Sequence, residues 1–225
     1  LLAWNARSLL YHPASRSADT PTWALQRDDV RVLVSHNNQR SDHAVLYFGG
    51  NAEDASQAVL RLDDVFPASS IHALHYRGYG GSEGHPSEQH LVADALAFYD
   101  AIAPHYRQVT LIGRSLGSGI ALQLAATRRS DQLLLITPYN SIVELGQQHF
   151  PMFPVRWLLR DRYESWRYAP LIRTPTTLVI AGNDQVIPND SSYRLAAQFP
   201  AGVARVVTVA DADHDSASLW QAITH

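Results

Sequence analysis

The sequence predicts an α/β fold: a doubly wound, mostly parallel sheet with helices on both faces and a small helical cap. Three observations predict it. Seven short runs rich in Val, Ile, Leu and Tyr are apolar on both faces, as strands covered on both sides must be. Stretches with apolar residues every three or four positions alternate with the later runs, which implies right-handed crossovers between parallel strands. One long aromatic interval, broken by prolines, interrupts that rhythm.

In chain order, the strand runs are residues 30–35, 44–48, 71–76, 109–112, 133–136, 177–181 and 204–209. The stretch 23–27 and the run 30–35 have no helix between them or before residue 44, so they are expected as antiparallel strands at one edge of a mixed sheet. Val59, Leu62 and Phe66 repeat at helical spacing, as do Leu91, Ala95, Phe98 and Ile102, and residues 116–126 form a third helical stretch. Pro151, Pro154 and Pro170 stop helices from running through residues 141–172, the predicted cap. Its Phe150, Met152, Phe153, Trp157, Tyr163, Trp166 and Tyr168 are expected either to line an apolar or aromatic pocket mouth or to pack the cap against the domain. Residues 1–225 read as one domain with the cap as a small insertion, without repeats, low-complexity segments or a Ser/Gly-rich linker.

Length and composition agree, since 225 residues suit one domain with a substantial core. Hydrophobic residues at 46% and charged residues at 17% exclude the disordered and fibrous classes. A net charge of -3 without a basic run excludes a nucleic-acid partner. With no Cys, thiol nucleophiles, disulfides and thiolate metal sites are all removed, and nothing is learned about compartment. No apolar stretch reaches the roughly 18 to 20 residues of a membrane span, so the chain as it stands reads as soluble. It begins at Leu1 rather than Met, so the true N-terminus is expected upstream; residues 1–7 are too short and polar for a signal segment, and an upstream signal or anchor is left open.

Gly113-Arg114-Ser115-Leu116-Gly117 follows the strand run 109–112 and opens the helical stretch 116–126. A G-x-S-x-G match arises by chance about 0.08 times in a chain this long, so its context carries the reading. Strand, sharp turn and helix are the setting of a nucleophile elbow. Glycines two before and two after the serine give the turn room, and the helix N-terminus favours developing negative charge.

A serine hydroxyl needs a base, and in elbow enzymes the partners follow in the order Ser, acid, His. After Ser115 the histidines are His149, His214 and His225; the first precedes any late acid loop and the last is terminal, which leaves His214. Among the intervening acids, Asp184 stands just past an apolar strand, where an open parallel sheet carries its functional side chains. Ser115, His214 and Asp184 are therefore the candidate nucleophile, base and orienting acid. Backbone N–H groups of Leu116 and Asn51, the latter in Gly49-Gly50-Asn51-Ala52 after the run 44–48, are the candidate oxyanion donors. Asp211, Asp213 and Asp215 around His214 raise a metal reading, but no His-x-x-x-His pair supports it.

Gly50-Asn51-Ala52-Glu53-Asp54, Tyr76-Arg77-Gly78-Tyr79-Gly80-Gly81-Ser82-Glu83-Gly84, Gly113 to Gly119, Thr137-Pro138-Tyr139 and Gly182 to Pro188 occur in this order. Together they resemble the Bem46-like, or serine aminopeptidase S33-like, branch of the α/β-hydrolase superfamily. The resemblance implies a triad at Ser115, Asp184 and His214, oxyanion donors near Asn51 and Leu116, and no cofactor. For many members it also implies a membrane anchor just upstream of a segment like residues 9–13. Two positions depart from the pattern: Gly49 stands where many relatives have His, and Asp213-His214-Asp215 replaces Gly-His-Asn.

The Gly-rich loop 76–84 has neither a dinucleotide fingerprint nor the Lys-Ser/Thr of a P-loop, so it reads as structural, with Arg77 in an internal ion pair. His85 and His90 flank a helix start near Ser87 and are expected in solvent. The expected activity is a serine hydrolase acting on a small-molecule ester or thioester through an acyl-enzyme. An amidase or peptidase with the same triad, a non-catalytic binding module, and a cofactor-free lyase or perhydrolase are the alternatives. Acyl length, compartment and oligomeric state are open.

Overall fold

The strand runs assemble into one sheet in the computed structural model, which describes residues 7–223 apart from Leu9 and Phe153. Among these residues the strands are β1 (Thr22–Arg27), β2 (Val30–His36), β3 (His43–Phe48), β4 (Ser70–Leu74), β5 (Gln108–Arg114), β6 (Gln132–Ile136), β7 (Thr176–Ala181) and β8 (Ala204–Val209). Their order is β1-β2-β4-β3-β5-β6-β7-β8. β1 pairs antiparallel with β2, and β2 with β4; every other neighbour is parallel. The antiparallel edge thus lies where the missing helix placed it.

Alternation along each strand divides the core in two. Leu46 and Phe48 of β3, with Leu111, Leu133, Leu135 and Leu178, pack against Leu91, Ala95 and Phe98 of α2 (Glu88–Ile102) and Ile120 and Leu124 of α3 (Leu116–Ala125). Val45, Tyr47, Ile112, Leu134, Ile136 and Val179 face the other way. They meet α1 (Ala55–Val65) through Ala58, Val59 and Leu62, and α7 (Ser218–Gln221) through Leu219 and Trp220. Helices therefore cover both faces.

β4 ends at Leu74, two residues short of the expected run, because the chain turns away there. Tyr79 N–H donates to Tyr76 O, and Gly78 (φ 81°) and Gly80 (φ 58°) take left-handed conformations. At Gly80 a Cβ would lie 2.0 Å from the His75 ring. Arg77 leaves this loop inward and grips Asp94 of α2 with Nε and Nη2 at 2.7 and 2.9 Å, as an internal ion pair. Ser87 caps α2 by accepting from His90 N–H, and His85 and His90 are exposed.

Residues 141–172 hold α4 (Ile142–His149), α5 (Val155–Leu158) and two single 3₁₀ turns. The aromatics expected at a pocket mouth are scattered. Phe150, Met152 and Trp157 are exposed, while Tyr163 is buried with its hydroxyl 2.9 Å from that of Tyr11. A cleft of about 640 Å³ beside the cap is lined mainly by polar groups of Arg7, Glu88, Gln123, Arg160 and Asp161, and of the described cap aromatics Tyr168 alone joins it. Phe153 lies outside the described residues. α6 (Asn189–Ala196) follows β7.

Candidate active site

β5 delivers its last residues into a turn with no room for a side chain at Gly113 or Gly117. A Cβ on Gly113 would lie 2.5 Å from Gly117 O and 2.7 Å from the Ala121 Cβ, and a Cβ on Gly117 would lie 2.0 Å from Phe48 O. Between them Ser115 is held at φ 48°, ψ −119°, a conformation that costs about 1–3 kcal/mol and persists because its surroundings impose it. Ser115 N–H donates to Ile136 O at 2.9 Å, and its carbonyl accepts from Ser118 N–H and Oγ. The serine is the N-cap of α3, whose ten residues are all buried, so the positive end of the helix lies at the hydroxyl.

The loops after β7 and β8 are joined to each other. Gly182 N–H donates to Val209 O and Asn183 N–H to Ala212 O, and a Cβ on Gly182 would meet Ala210 O at 2.1 Å. This closeness sets Asp184 beneath His214. Asp184 Oδ1 accepts from the amides of Val186 and Ile187, both at 2.8 Å, and Oδ2 lies 2.8 Å from His214 Nδ1. His214 Nε2 stands 3.1 Å from Ser115 Oγ. The Asp184 side chain is 2% exposed and that of His214 13%. An ionised carboxylate can only accept, so Nδ1 carries the proton and Nε2 is left as the acceptor facing the serine. The arrangement can move a proton from Oγ to Nε2.

Beside the serine runs the loop after β3. A Cβ on Gly50 would lie 3.5 Å from Ser115 Cβ, so this loop abuts the nucleophile. Gly49 O accepts from Tyr76 Oη at 2.8 Å. The Asn51 side chain is committed to structure: Nδ2 donates to Leu10 O at 2.6 Å, and Oδ1 accepts from His12 N–H and Tyr79 Oη. What Asn51 could offer a substrate is its backbone. Leu116 follows Ser115 directly as the first residue of α3.

Two of the acids around His214, Asp213 and Asp215, are tied into their own loop and to an arginine. Asp213 Oδ1 accepts from Asp215 N–H and Ser216 Oγ, and Asp215 pairs with Arg114. Among the described residues no group of three or more His, Asp or Glu is placed to hold a metal ion.

Two residues of the site were not singled out from sequence. The side chains of Arg114 and Glu53, 9% and 8% exposed, form an ion pair at 3.1 Å behind the serine. Glu53 also accepts from Gly50 N–H at 2.6 Å and from Tyr47 Oη at 2.9 Å, and Arg114 Nη2 donates to the carbonyl of His214 at 3.0 Å. Burial opposes the Arg114 charge, but Glu53, then Tyr47 and Asp215, outweigh it and hold the guanidinium above its ordinary value. The available signal was a charged residue between two apolar elements, which demands a buried partner.

Comparison with known proteins follows the same outline. A family model described as serine aminopeptidase, S33, matches residues 40–168. An uncharacterised protein of Mycobacterium tuberculosis strain H37Rv is 35% identical over 215 residues, covering 92% of this chain and 75% of its own. The lysophosphatidylserine lipase ABHD12 of Danio rerio is 30% identical over 190 residues, 71% of this chain and 49% of its own. The protein bem46 of Schizosaccharomyces pombe is 24% identical over 173 residues, 71% and 57%. Among solved structures, Est1E from Butyrivibrio proteoclasticus has a TM-score of 0.74 at 14% identity, covering 90% of this chain and 94% of its own.

Proposed function

We propose, for a chain that belongs to the serine aminopeptidase S33 family of α/β hydrolases and to its Bem46-like branch, a serine hydrolase that cleaves esters or thioesters through an acyl-enzyme. The observation that carries this reading is the unbroken hydrogen-bonded line from Asp184 Oδ2 through the imidazole of His214 to Ser115 Oγ. Ser115 Oγ attacks the acyl carbonyl as its proton passes to His214 Nε2, and Asp184 stabilises the imidazolium. The oxyanion is met by the N–H groups of Leu116 and Asn51. As the tetrahedral species collapses, Nε2–H protonates the leaving group, and an acyl-serine remains. Water then repeats the steps, giving its proton to Nε2, and the acid departs with Oγ reprotonated.

Esters and thioesters are favoured because an amide leaving group is poorer and requires more exact protonation. The lipase name of the Danio rerio relative supports the ester class, and the description of the family model supports the second reading, an aminopeptidase with the same three residues. Among the described residues no helix is long and apolar enough to cross a membrane. An anchor upstream of the chain is part of the proposal.

The test compares p-nitrophenyl esters of increasing chain length with aminoacyl p-nitroanilides, using the wild type and Ser115→Ala. Ester turnover that falls at least about 10³-fold in Ser115→Ala is expected. Faster turnover of the anilides would favour the aminopeptidase, and no turnover of either would remove the hydrolase reading.

A further inference from the structure

We propose that Arg114 is a positioning residue that locks the histidine loop and the Gly50-Asn51 loop onto the nucleophile elbow, an inference that rests on the hydrolase reading for its kinetic consequence. Its backbone belongs to the elbow, since it is the last residue of β5 and precedes Ser115. Its side chain reaches the two other loops of the site at once. Nη2 donates to His214 O at 3.0 Å and to Asp215 Oδ1, which fixes the backbone from which the imidazole hangs. Nη1 donates to Glu53 Oε2 at 3.1 Å, the same oxygen that takes the Gly50 N–H at 2.6 Å. Tyr47 Oη, bonded to both carboxylate oxygens, holds Glu53 from below. Arg114 Nε–H has no partner among the described residues, so the two terminal nitrogens alone set the orientation of the group.

This geometry needs a planar fork. A lysine ammonium could meet Glu53 or the His214 carbonyl, but as a compact point charge it could not span both. The reaction, in turn, needs Nε2 and the oxyanion donors in fixed relation to Oγ, where a displacement of about 1 Å costs on the order of 100-fold. Substrate touches none of Arg114, Glu53 or Tyr47 in this account, so their loss acts on the chemical step more than on binding.

Arg114→Gln and Arg114→Lys are compared with the wild type in kcat, KM and amide hydrogen exchange. For both variants kcat is expected to fall about 10- to 100-fold with KM within about twofold. Exchange should quicken selectively in residues 49–54 and 211–217. Lysine keeps a charge for Glu53 and so guards against a glutamine variant that does not fold. Wild-type kcat in Arg114→Lys, exchange that is unchanged, or exchange that quickens evenly over the whole sheet would each overturn the proposal, the last by reducing Arg114 to general stability. A wild type that turns over no ester removes the hydrolase reading alone, because selective exchange still decides whether Arg114 ties these loops together.

Discussion

Asp184 illustrates how much a single buried carboxylate can decide. Two backbone amides occupy its Oδ1, which leaves Oδ2 for His214 Nδ1–H and so selects the imidazole tautomer with a free Nε2. Asp184→Asn keeps the shape but can turn an N–H toward Nδ1, which favours the wrong tautomer. We expect kcat for ester hydrolysis to fall about 10⁴-fold with little change in KM; steady-state kinetics checks this. That Ser115, Asp184 and His214 meet in one hydrogen-bonded line could be expected from the sequence, because each follows a strand and the order Ser, acid, His leaves few candidates. The ties of Arg114 could not, since its partners Glu53 and Asp215 lie 61 and 101 residues away and only the folded sheet brings them together.

At the scale of elements, the site exists because parallel strands end side by side. β5, β7 and β8 supply the three loops, and glycines at 113, 117 and 182 let those loops approach to distances that a Cβ would forbid. Each strand lies within two residues of its expected run, because short Val-, Ile- and Leu-rich runs bounded by turns have few alternatives in a sheet. The cap was less legible. Its prolines and aromatics announced an interruption, yet composition could not say that Tyr163 turns inward while Trp157 faces water. Beside the sheet, Asp94 is held by Arg77 and Arg27, and it anchors the loop 76–84 to α2. Removing one partner of a buried pair leaves an uncompensated charge, so Asp94→Asn should lower unfolding stability by about 3 kcal/mol or more in urea titration.

Over the whole molecule, two histidines make stability depend on pH. Burial, with a further contribution from the neighbouring His36, brings His72 from the ordinary 6.5 down to about 4. Burial brings His75 to about 4 as well, where Asp54 opposes the shift and Arg16 assists it. His75 accepts or donates a 2.7 Å bond with Ser35 Oγ, and His72 a 3.0 Å bond with Tyr106 Oη. Both rings are neutral in the fold but take up protons once unfolded, so the unfolded chain binds more protons between those values. Stability is then complete above about pH 6.5 and is lost progressively as pH falls toward 4. Thermal unfolding across that window should show Tm falling with acidification, and more shallowly in His75→Gln; a Tm constant from pH 7 to 4 would contradict the burial of both rings.

If Ser115 is the nucleophile and depends on His214, covalent capture reports both at once. Wild type, Ser115→Ala and His214→Ala are exposed to a fluorophosphonate and read by intact-protein and peptide mass spectrometry. One adduct is expected, on Ser115, in the wild type and none in either variant over the same time. An adduct on another residue, equal labelling in His214→Ala, or a folded wild type that takes up no label would contradict the proposed triad.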